Sequence, residues 1–591
     1  PVQELQRKRV EDLYGMTAGL WNFLRSLPDN QPRIRVFNPR HEDHGWQSTH
    51  TVVEVLAPDC AFLVDTVMME VVRRGIAIHT VINSVFRVKR NDRGELIDLS
   101  FDMQDEAAGN KEALIHLEIG RQPDEDLVGV TPDSLRETLR ELNAAVDDFS
   151  EMQQRSIEIS HELNELADNQ TGTSLQEVQK FLGWLVNNHV TLLGMKEYTL
   201  VERQGGSAFE EVADRALGVC RVCDSLDLME RDGGELIDPE KLIVFGKSGT
   251  RARWHRPVYM DFIGIRKCDA QGRIIGEYRW LGLYTSRVFN NSPREFPIIG
   301  QKLGQVIQGS GLEQNGHDGK RLMQILETFP REELFQTPTQ DLLKTAVGVL
   351  HIQERRRLRL FVRKGEFGRF LSCLIYTPRD SYSTALRKSF QKILYEYVDV
   401  EDMEFNTYFT ESTLARLYIV LKVKRGSSAD FDVNEVEDRL VELARSWSDR
   451  LYETLIESFG EDRAGSLHSA YSDAFSLSYR EEFGTRTAVT DIEHFESLSE
   501  ANPLSVSFFH SLEDDPKALR FKLYRLDKNI PLSDVLPMLE HLGLRVLGGR
   551  PFRVVTRSEN TIWVYDFAVR YSGDKIVEMD KVKLKFQEAF L

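Results

Sequence analysis

At 591 residues and 41% apolar composition, the chain is long enough for about four domains of ~100–200 residues, each with its own core. A net charge of −18 argues against a nucleic-acid binder, which needs a basic face, and the basic runs Arg251–Arg256 and Arg355-Arg356-Arg357 read as solvated faces or oligomer contacts. No run approaches the ~18 apolar residues of a membrane span, and five scattered cysteines fit a reducing cytosol rather than a disulfide framework, so a cytoplasmic protein without membrane contact is expected.

The start, Pro1-Val2-Gln3-Glu4, has neither a signal-peptide pattern nor an initiator Met, so a trimmed N-terminus is expected. Residues 1–28 predict a helix, from the near-helical spacing of Leu13, Leu20, Leu24 and Leu27. Strands are expected at Arg33–Asn38 and Thr51–Ala57. A tight Pro58-Asp59 turn then leads into the helix Phe62–Arg74, with Leu63, Val67 and Val71 on one stripe. After Gly75, Ile76–Arg90 reads as a long strand, Asn91-Asp92-Arg93-Gly94 as a hairpin turn and Ala113–Ile119 as an alternating strand. Thr131–Ala167 predicts one long charged helix opened by Thr131-Pro132. Residues 33–150 therefore read β-β-α-β-β-α, close to a ferredoxin-like layer.

A second region opens with the helix Ser174–Asn187, capped by Thr173 or Ser174 with Glu177 as the capping-box partner. Strands Val190–Leu200, Leu242–Gly246, Val258–Arg266 and Ile274–Leu283 follow, the last two joined through Asp269-Ala270-Gln271-Gly272, and then the helix Pro293–Gln308. Beyond a helix at Leu322–Leu326 come strands Arg357–Val362 and Arg369–Tyr376, the helix Tyr382–Tyr395, and strands Phe405–Phe409 and Ala415–Lys424. Val433–Phe483 reads as almost entirely helical, with Trp447, Leu451, Leu455 and Phe459 as a core stripe. The last region has strand Phe521–Tyr524, a helix Leu532–Leu542 opened by Pro531 and ended by Gly543, strands Leu544–Leu547, Phe552–Thr556 and Thr561–Arg570, and a helix Asp580–Phe590. Ending just inside a helix suggests a longer parent protein. The strand–turn–helix–strand order of residues 51–90 recurs around Arg369–Val400 and again from Leu519 to Val555, which points to a chain built to sense or to assemble.

Chemical motifs are suggested and mostly rejected. Cys220-Arg-Val-Cys223 has zinc-knuckle spacing but lacks a second ligand pair at usable distance. His41-Glu42-Asp43-His44 places its imidazoles at i, i+3 and reads as a polar loop. Gly246-Lys247-Ser248 resembles the end of a P-loop, but Lys241 stands where the first glycine belongs and a strand pattern fills the gap. The glycines around Gly309-Ser310-Gly311 fail the dinucleotide spacing. No catalytic, cofactor-binding or metal-binding residue is assigned.

Specific strings carry a family resemblance. Ala57-Pro-Asp-Cys-Ala-Phe-Leu-Val-Asp65, Gly75-Ile-Ala-Ile-His79 and Val85-Phe-Arg-Val-Lys-Arg90 resemble the N-terminal region of the large bacterial NAD-specific glutamate dehydrogenases. So do Phe181-Leu-Gly-Trp184, His189-Val-Thr-Leu-Leu-Gly194, Leu281-Gly-Leu-Tyr284, Ser292-Pro-Arg-Glu295, Leu326-Glu-Thr-Phe-Pro330, Gly368-Arg-Phe370, Tyr376-Thr-Pro378-Arg-Asp380, Phe405-Asn406-Thr-Tyr-Phe-Thr410 and Pro531-Leu-Ser-Asp-Val-Leu-Pro537. They span nearly the whole chain in family order. Ile82-Asn83-Ser84-Val85 departs from the family's His-Pro-Val string at that turn.

The resemblance implies an α+β fold: several ferredoxin-like ACT-type β-α-β modules joined by helical segments, with no Rossmann domain in this chain. The expected divisions are residues 1–155, an N-terminal helix plus an ACT-like module; 170–318, a mixed α/β module; 319–428, ACT-like; 429–502, helical; and 503–591, ACT-like. It implies the regulatory and oligomerisation segment of an NAD-dependent glutamate dehydrogenase, whose catalytic core and NAD site lie outside this chain. Its partners would be other copies of itself, as a tetramer or larger, and an amino-acid or carboxylic-acid effector. A free-standing ACT-repeat sensor or scaffold without an enzymatic parent is the alternative. The candidate effector-binding residues sit at the strand-to-helix turns Asp59–Phe62, Arg379–Tyr382 and Lys528–Ser533. They are Asp59, Phe62, Arg379, Asp380, Tyr382 and Ser533, where helix N-termini offer N–H groups to a carboxylate. Asp380 as a helix cap and Asp59 as a turn former are the structural alternatives.

Overall fold

The computed structural model describes residues 8–27, 31–123, 130–164, 175–203, 206–223, 226, 241–355, 358–409, 413–427, 430–510, 518–571 and 579–590. They fall into two compact units, residues 1–379 with 391–437 and residues 380–390 with 438–591.

The first unit begins with α1 (Val10–Leu24) and a sheet of β1 (Arg33–Phe37), β2 (Thr51–Pro58), β3 (Ile78–Arg90), β4 (Leu96–Ser100) and β5 (Asn110–Ile119), ordered β1-β2-β5-β3-β4. β2 is central, so both of its faces are covered and Thr51–Ala57 are all buried. Leu56 packs with Phe23, Leu24 and Leu27 at the end of α1, and Val52 with Met16 and Trp46. Val53, Val55 and Ala57 point the other way, into α2 (Leu63–Arg73) and α3 (Pro132–Asp147). This is the period-2 alternation of a strand read by two different layers. The predicted stripe Leu63, Val67 and Val71 is what α2 buries.

The long helix expected from Thr131 is broken. α3 ends at Asp147, and α4 (Phe149–Asn164) restarts beyond Asp148, whose carboxylate accepts from Gly218 N at 2.7 Å and Arg221 Nε at 2.9 Å. A side chain committed to another segment fixes the break. Leu135, Leu139 and Leu142 of α3 and Met152 and Ile159 of α4 are buried within the chain.

After α5 (Leu175–Trp184) comes a second, antiparallel sheet: β6 (Val190–Arg203), β7 (Gly206–Glu211), β8 (Leu217–Gly218), β9 (Ile243–Arg251), β10 (Tyr259–Cys268) and β11 (Ile274–Tyr284). Its order is β7-β6-β11-β10-β9, with β8 on β6. Phe262, Leu281 and Leu283 of one face share a core with α2 and α3, which are thus sandwiched between two sheets. Ile263, Ile265, Tyr278 and Trp280 of the other face pack with α4, α5, α6 (Ile299–Gly309), α7 (His317–Thr328), α8 (Arg331–Gln336) and α9 (Thr339–Arg355).

The third sheet holds β12 (Arg359–Lys364), β13 (Phe370–Pro378), β14 (Val400–Phe409) and β15 (Leu414–Val423), ordered β12-β13-β15-β14. α10 (Thr384–Tyr397) lies between β13 and β14 in sequence, and α11 (Val433–Ala444) follows β15. The expected helix Val433–Phe483 is four. Besides α11 these are α12 (Trp447–Phe459), α13 (Glu461–Tyr471) and α14 (Leu477–Glu482). Ser446 opens α12 with a full capping box to Asp449, and Gly460 at φ +76° separates α12 from α13.

The second unit packs α12, α13, α14 and α15 (Thr485–Glu496) on one face of a fourth sheet, through Leu451, Leu455 and Ile492 against Tyr524, Phe552 and Val564. That sheet is β16 (Leu504–His510), β17 (Ala518–Leu526), β18 (Leu544–Val555) and β19 (Thr561–Tyr571), ordered β16-β17-β19-β18. Its opposite face carries α16 (Leu532–His541) and α17 (Met579–Phe590). Two strands were expected within β18; there is one, bulged between Val546 and Gly548.

Three of the four sheets share one plan. In β1-β2-β5-β3, β12-β13-β15-β14 and β16-β17-β19-β18, a first strand pairs with the second, the helix after the second strand leads to the fourth place, and the last strand returns between them; in the first sheet β4 adds an edge strand beyond β3. The pairings in these three plans are antiparallel. The repeated unit therefore begins one strand earlier than the strand–helix–strand pattern of the sequence.

Candidate functional site

Each predicted turn belongs to its own sheet. At the first, Asp59 N bonds Lys111 O at 3.0 Å, while the Asp59 side chain is exposed. Phe62, at φ +65°, is the residue before α2 and supplies no side-chain cap. Its half-buried ring lies tilted against that of His255, centroids 4.3 Å apart, so Phe62 serves as a packing residue. At the second, residues 379–381 form a single 3-10 turn. Arg379 N bonds Thr413 O at 2.9 Å, and its guanidinium lies 5.7 Å from the Phe409 ring. Tyr382 is half-buried, and the side chain of Asp380 lies outside the described residues. At the third, Ser533 is exposed and donates to its neighbour Asp534 at 3.2 Å. The turn itself is pinned by Tyr565, whose hydroxyl accepts from Ile530 N at 2.9 Å and also bonds Asn529. α2 and α16 both start without a side-chain cap, leaving first-turn N–H groups for another acceptor.

A second feature was read differently from sequence. The loop from Arg251 to Val258, expected to be a solvated face or oligomer contact, binds other parts of the same unit. Arg253 donates to Glu141 at 3.2 Å and to Thr138 at 2.9 Å on α3, and Trp254 Nε1 to Thr138 O at 3.2 Å. Arg251 pairs with Asp402 at 2.6 Å and Glu404 at 3.1 Å on β14. His255, at φ +60°, touches Phe62. One loop thus connects the first module's helix and turn to the edge strand of the third sheet. Of the other basic run, Arg356 and Arg357 lie outside the described residues.

Beside this loop lies a cleft of about 370 Å³, walled by Pro257, Val258, Met403 and Val420 and edged by Arg251, Glu332 and Glu404. That is small-metabolite size. Under it is Lys247, 4% exposed, 3.2 Å from Glu332 and 3.5 Å from Asp261. Burial pushes the Asp261 carboxyl up to about 7 against the pull of Lys247. Burial likewise raises Glu404. The P-loop-like string was rejected because a strand pattern occupied it, and Lys247 is indeed on β9, with its ammonium turned into this cluster. Nothing in the local sequence links Lys247 to Glu332; only the packing of α8 against β9 brings them together.

The remaining motifs are structural. His41–His44 form a short helix rather than a loop, and His44 stacks on Phe37. Cys220 is buried, and burial pushes its thiol up to about 12. Thr173 and Ser174 lie outside the described residues, and Glu177 accepts from Ile298 N at 3.1 Å and pairs with Lys180. No helix among the described residues is long and apolar enough to cross a membrane.

Comparison with known proteins marks five segments of the chain. Family models for the ACT1, ACT2 and ACT3 domains of glutamate dehydrogenase match residues 1–134, 359–448 and 503–582. Models for its helical motifs 1 and 2 match 296–355 and 454–498. An NAD-specific glutamate dehydrogenase of Halomonas elongata is 40% identical over 598 aligned residues, which take in 100% of this chain and 37% of that protein. One of Pseudomonas aeruginosa is 38% identical over 100% of this chain and 37% of its own length. One of Mycobacterium tuberculosis is 26% identical over 88% of this chain and 32% of its own. The chain therefore spans about a third of the length of these relatives.

Proposed function

The chain belongs to the glutamate dehydrogenase family whose three ACT domains and two helical motifs it carries, and we propose that it is the regulatory and oligomerisation segment of an NAD-dependent glutamate dehydrogenase of the cytoplasm. The parent would convert L-glutamate, NAD and water to 2-oxoglutarate, ammonia and NADH, with the catalytic residues and the NAD site outside residues 1–591. The observation that carries this reading is the threefold recurrence of one sheet order. That order is the ferredoxin-like sheet with its fourth strand supplied from the N-terminal side, so each module is a permuted ACT-type unit. In all three modules the strand-to-helix turn stands at the same point, and this supports Asp59, Arg379, Asp380, Tyr382 and Ser533 as neighbours of an amino-acid or carboxylic-acid effector. Phe62 would shape its turn from the packed side. Open sheets of this kind end in edge strands, which supports assembly into a homo-oligomer.

Two measurements test it. Residues 1–591 alone, assayed with glutamate and NAD, are expected to form no NADH; turnover of ~1 per second or more would overturn the division of labour. Light scattering on the full-length parent and on a version lacking residues 1–591 is expected to show a smaller assembly for the latter. An unchanged assembly would remove the oligomerisation role.

A further inference from the structure

The seam between the second and third sheets, both within the first unit, holds an unusual balance of charge. β9 contributes Lys247 and Arg251, β10 Tyr259 and Asp261, β11 the Tyr284 N–H and phenol, α8 Glu332, β14 Asp402 and Glu404, and β15 Tyr418 and Lys422. Lys422 is already committed to Glu401 at 2.6 Å, and the Tyr418 hydroxyl donates to Glu333 at 3.0 Å, outside the cluster. Two cations, Lys247 and Arg251, therefore face four carboxylates. The bonds that cross the seam run through these groups: Tyr259 N to Glu404 Oε1 at 3.0 Å, the Tyr259 hydroxyl to Asp402 at 2.5 Å, and Arg251 to Asp402, Glu404 and the Met403 carbonyl. The cleft beside them gives water, and hence protons, a route to Glu332 and Glu404, whose side chains are 22% and 19% exposed.

We propose that Lys247, Asp261, Glu332 and Glu404 form a proton-operated latch, which holds β14 against the β9–β10 hairpin while the cluster keeps a proton and loosens the seam when every carboxylate is ionised. With Asp261 neutral, Lys247 pairs with Glu332, and Asp261 still accepts from Tyr284 N at 3.4 Å. With Asp261 charged, three carboxylates share one buried ammonium, and the like charges are relieved by moving β14 and its Glu404 into water. Asp261 titrates at about 7 in the closed seam, raised mainly by burial, against an ordinary value of 3.8. A raised value means that the proton's contribution to closure is fully present below the ordinary value and is lost as pH rises to about 7. Glu404, raised in the same way, acts in the same direction. The latch belongs to this chain whatever reaction the parent performs.

Hydrogen exchange followed by mass spectrometry on residues 1–591, corrected for the intrinsic pH dependence of exchange, tests it. Protection of the segments holding Tyr259 and residues 400–406 is expected to fall as pH rises from 5 to 7, by up to about tenfold per unit for one linked proton. Asp261→Asn should flatten that slope, while protection of β17 and β19 stays at its wild-type level. Glu404→Gln, at a partly exposed site and still able to accept from Tyr259 N, should make it shallower and serves as the deciding variant where Asp261→Asn does not fold. A flat wild-type profile, or an unchanged slope in a folded variant, overturns the latch.

Discussion

Lys522 Nζ donates to Asp491 Oδ2 at 2.7 Å, with the two side chains 0% and 1% exposed. The Tyr479 and Tyr524 hydroxyls complete the carboxylate at 2.5 and 2.8 Å, and the ammonium lies 3.9 Å from the Phe483 ring. α15 supplies the acid, and β17 the base and one tyrosine, so the pair fixes how the helical layer sits on the fourth sheet. Asp491→Leu is expected to cost about 3–5 kcal/mol, because it leaves a buried ammonium uncompensated. Asp491→Leu combined with Lys522→Met should recover most of that loss. Thermal unfolding of residues 1–591 reads both; a double variant as unstable as the single one would mean that Asp491 matters for its packing rather than its charge.

The first module should have a pH optimum set by His116. Its Nδ1 lies 3.0 Å from Glu54, and Nε2 is 3.9 Å from Glu118. Burial opposes the imidazolium, but the two carboxylates outweigh it and raise the His116 pKa above the ordinary 6.5. Burial would raise Glu118, yet His116 and Lys8 together hold it at about 2, below the ordinary 4.5. The His116 contribution is therefore fully present below pH 6.5 and is lost as pH rises through the elevated value. The Glu118 contribution is present above pH 4.5 and is lost as pH falls toward 2. Hydrogen-exchange protection of β2 and β5 should accordingly decline on the alkaline side, and His116→Gln should remove that limb. The same alkaline decline in the variant would assign it to another group.

How much of this was legible in the sequence depends on the range of the cause. The stripe of α2 and the strand Thr51–Pro58 follow from spacing alone, and both were read to within a residue or two. The turn before α16 was placed by Pro531, a local signal. The break at Asp148 was missed because its reason lies at Gly218 and Arg221, about 70 residues away. The pairing of Arg251 and Arg253 within the chain was missed in the same way: a basic run looks solvated until Glu141 and Asp402 arrive from other elements. Turn residues could be nominated from sequence, while the Lys247 cluster, assembled from β9, β10, α8 and β14, leaves no linear trace.

The nominated turns can be tested without disturbing the fold. Asp59 and Ser533 are exposed, so alanine at either should stay within about 0.5 kcal/mol of wild type. In the full-length parent, Asp59→Ala and Arg379→Ala are expected to weaken the response of glutamate oxidation to added amino acids or carboxylic acids while leaving the melting temperature unchanged. Lower thermal stability with an intact response would assign these residues a structural role.

Gly194 offers a sharper test of packing. β6 passes under the short helix Val219–Val222 so closely that a Cβ at Gly194 would fall 2.6 Å from Cys220 Sγ and 3.0 Å from Val219 Cγ2. The position is not one of unusual backbone angle, so any penalty is steric. Gly194→Ala should cost about 1–3 kcal/mol, the usual range for overpacking a filled core. Cys220 is 7% exposed, and its thiol, held protonated by burial, makes no charge interaction that the substitution would remove. Cys220→Ala should therefore relieve the first contact. The combination Gly194→Ala with Cys220→Ala is expected to be more stable than the sum of the single changes by about 0.5–3 kcal/mol, the coupling seen between touching residues. Denaturation of the four proteins forms a cycle that reads this directly. Strict additivity would show that the Cys220 thiol gives way freely, and that the approach of the two segments is fixed by Val219 and the backbone instead.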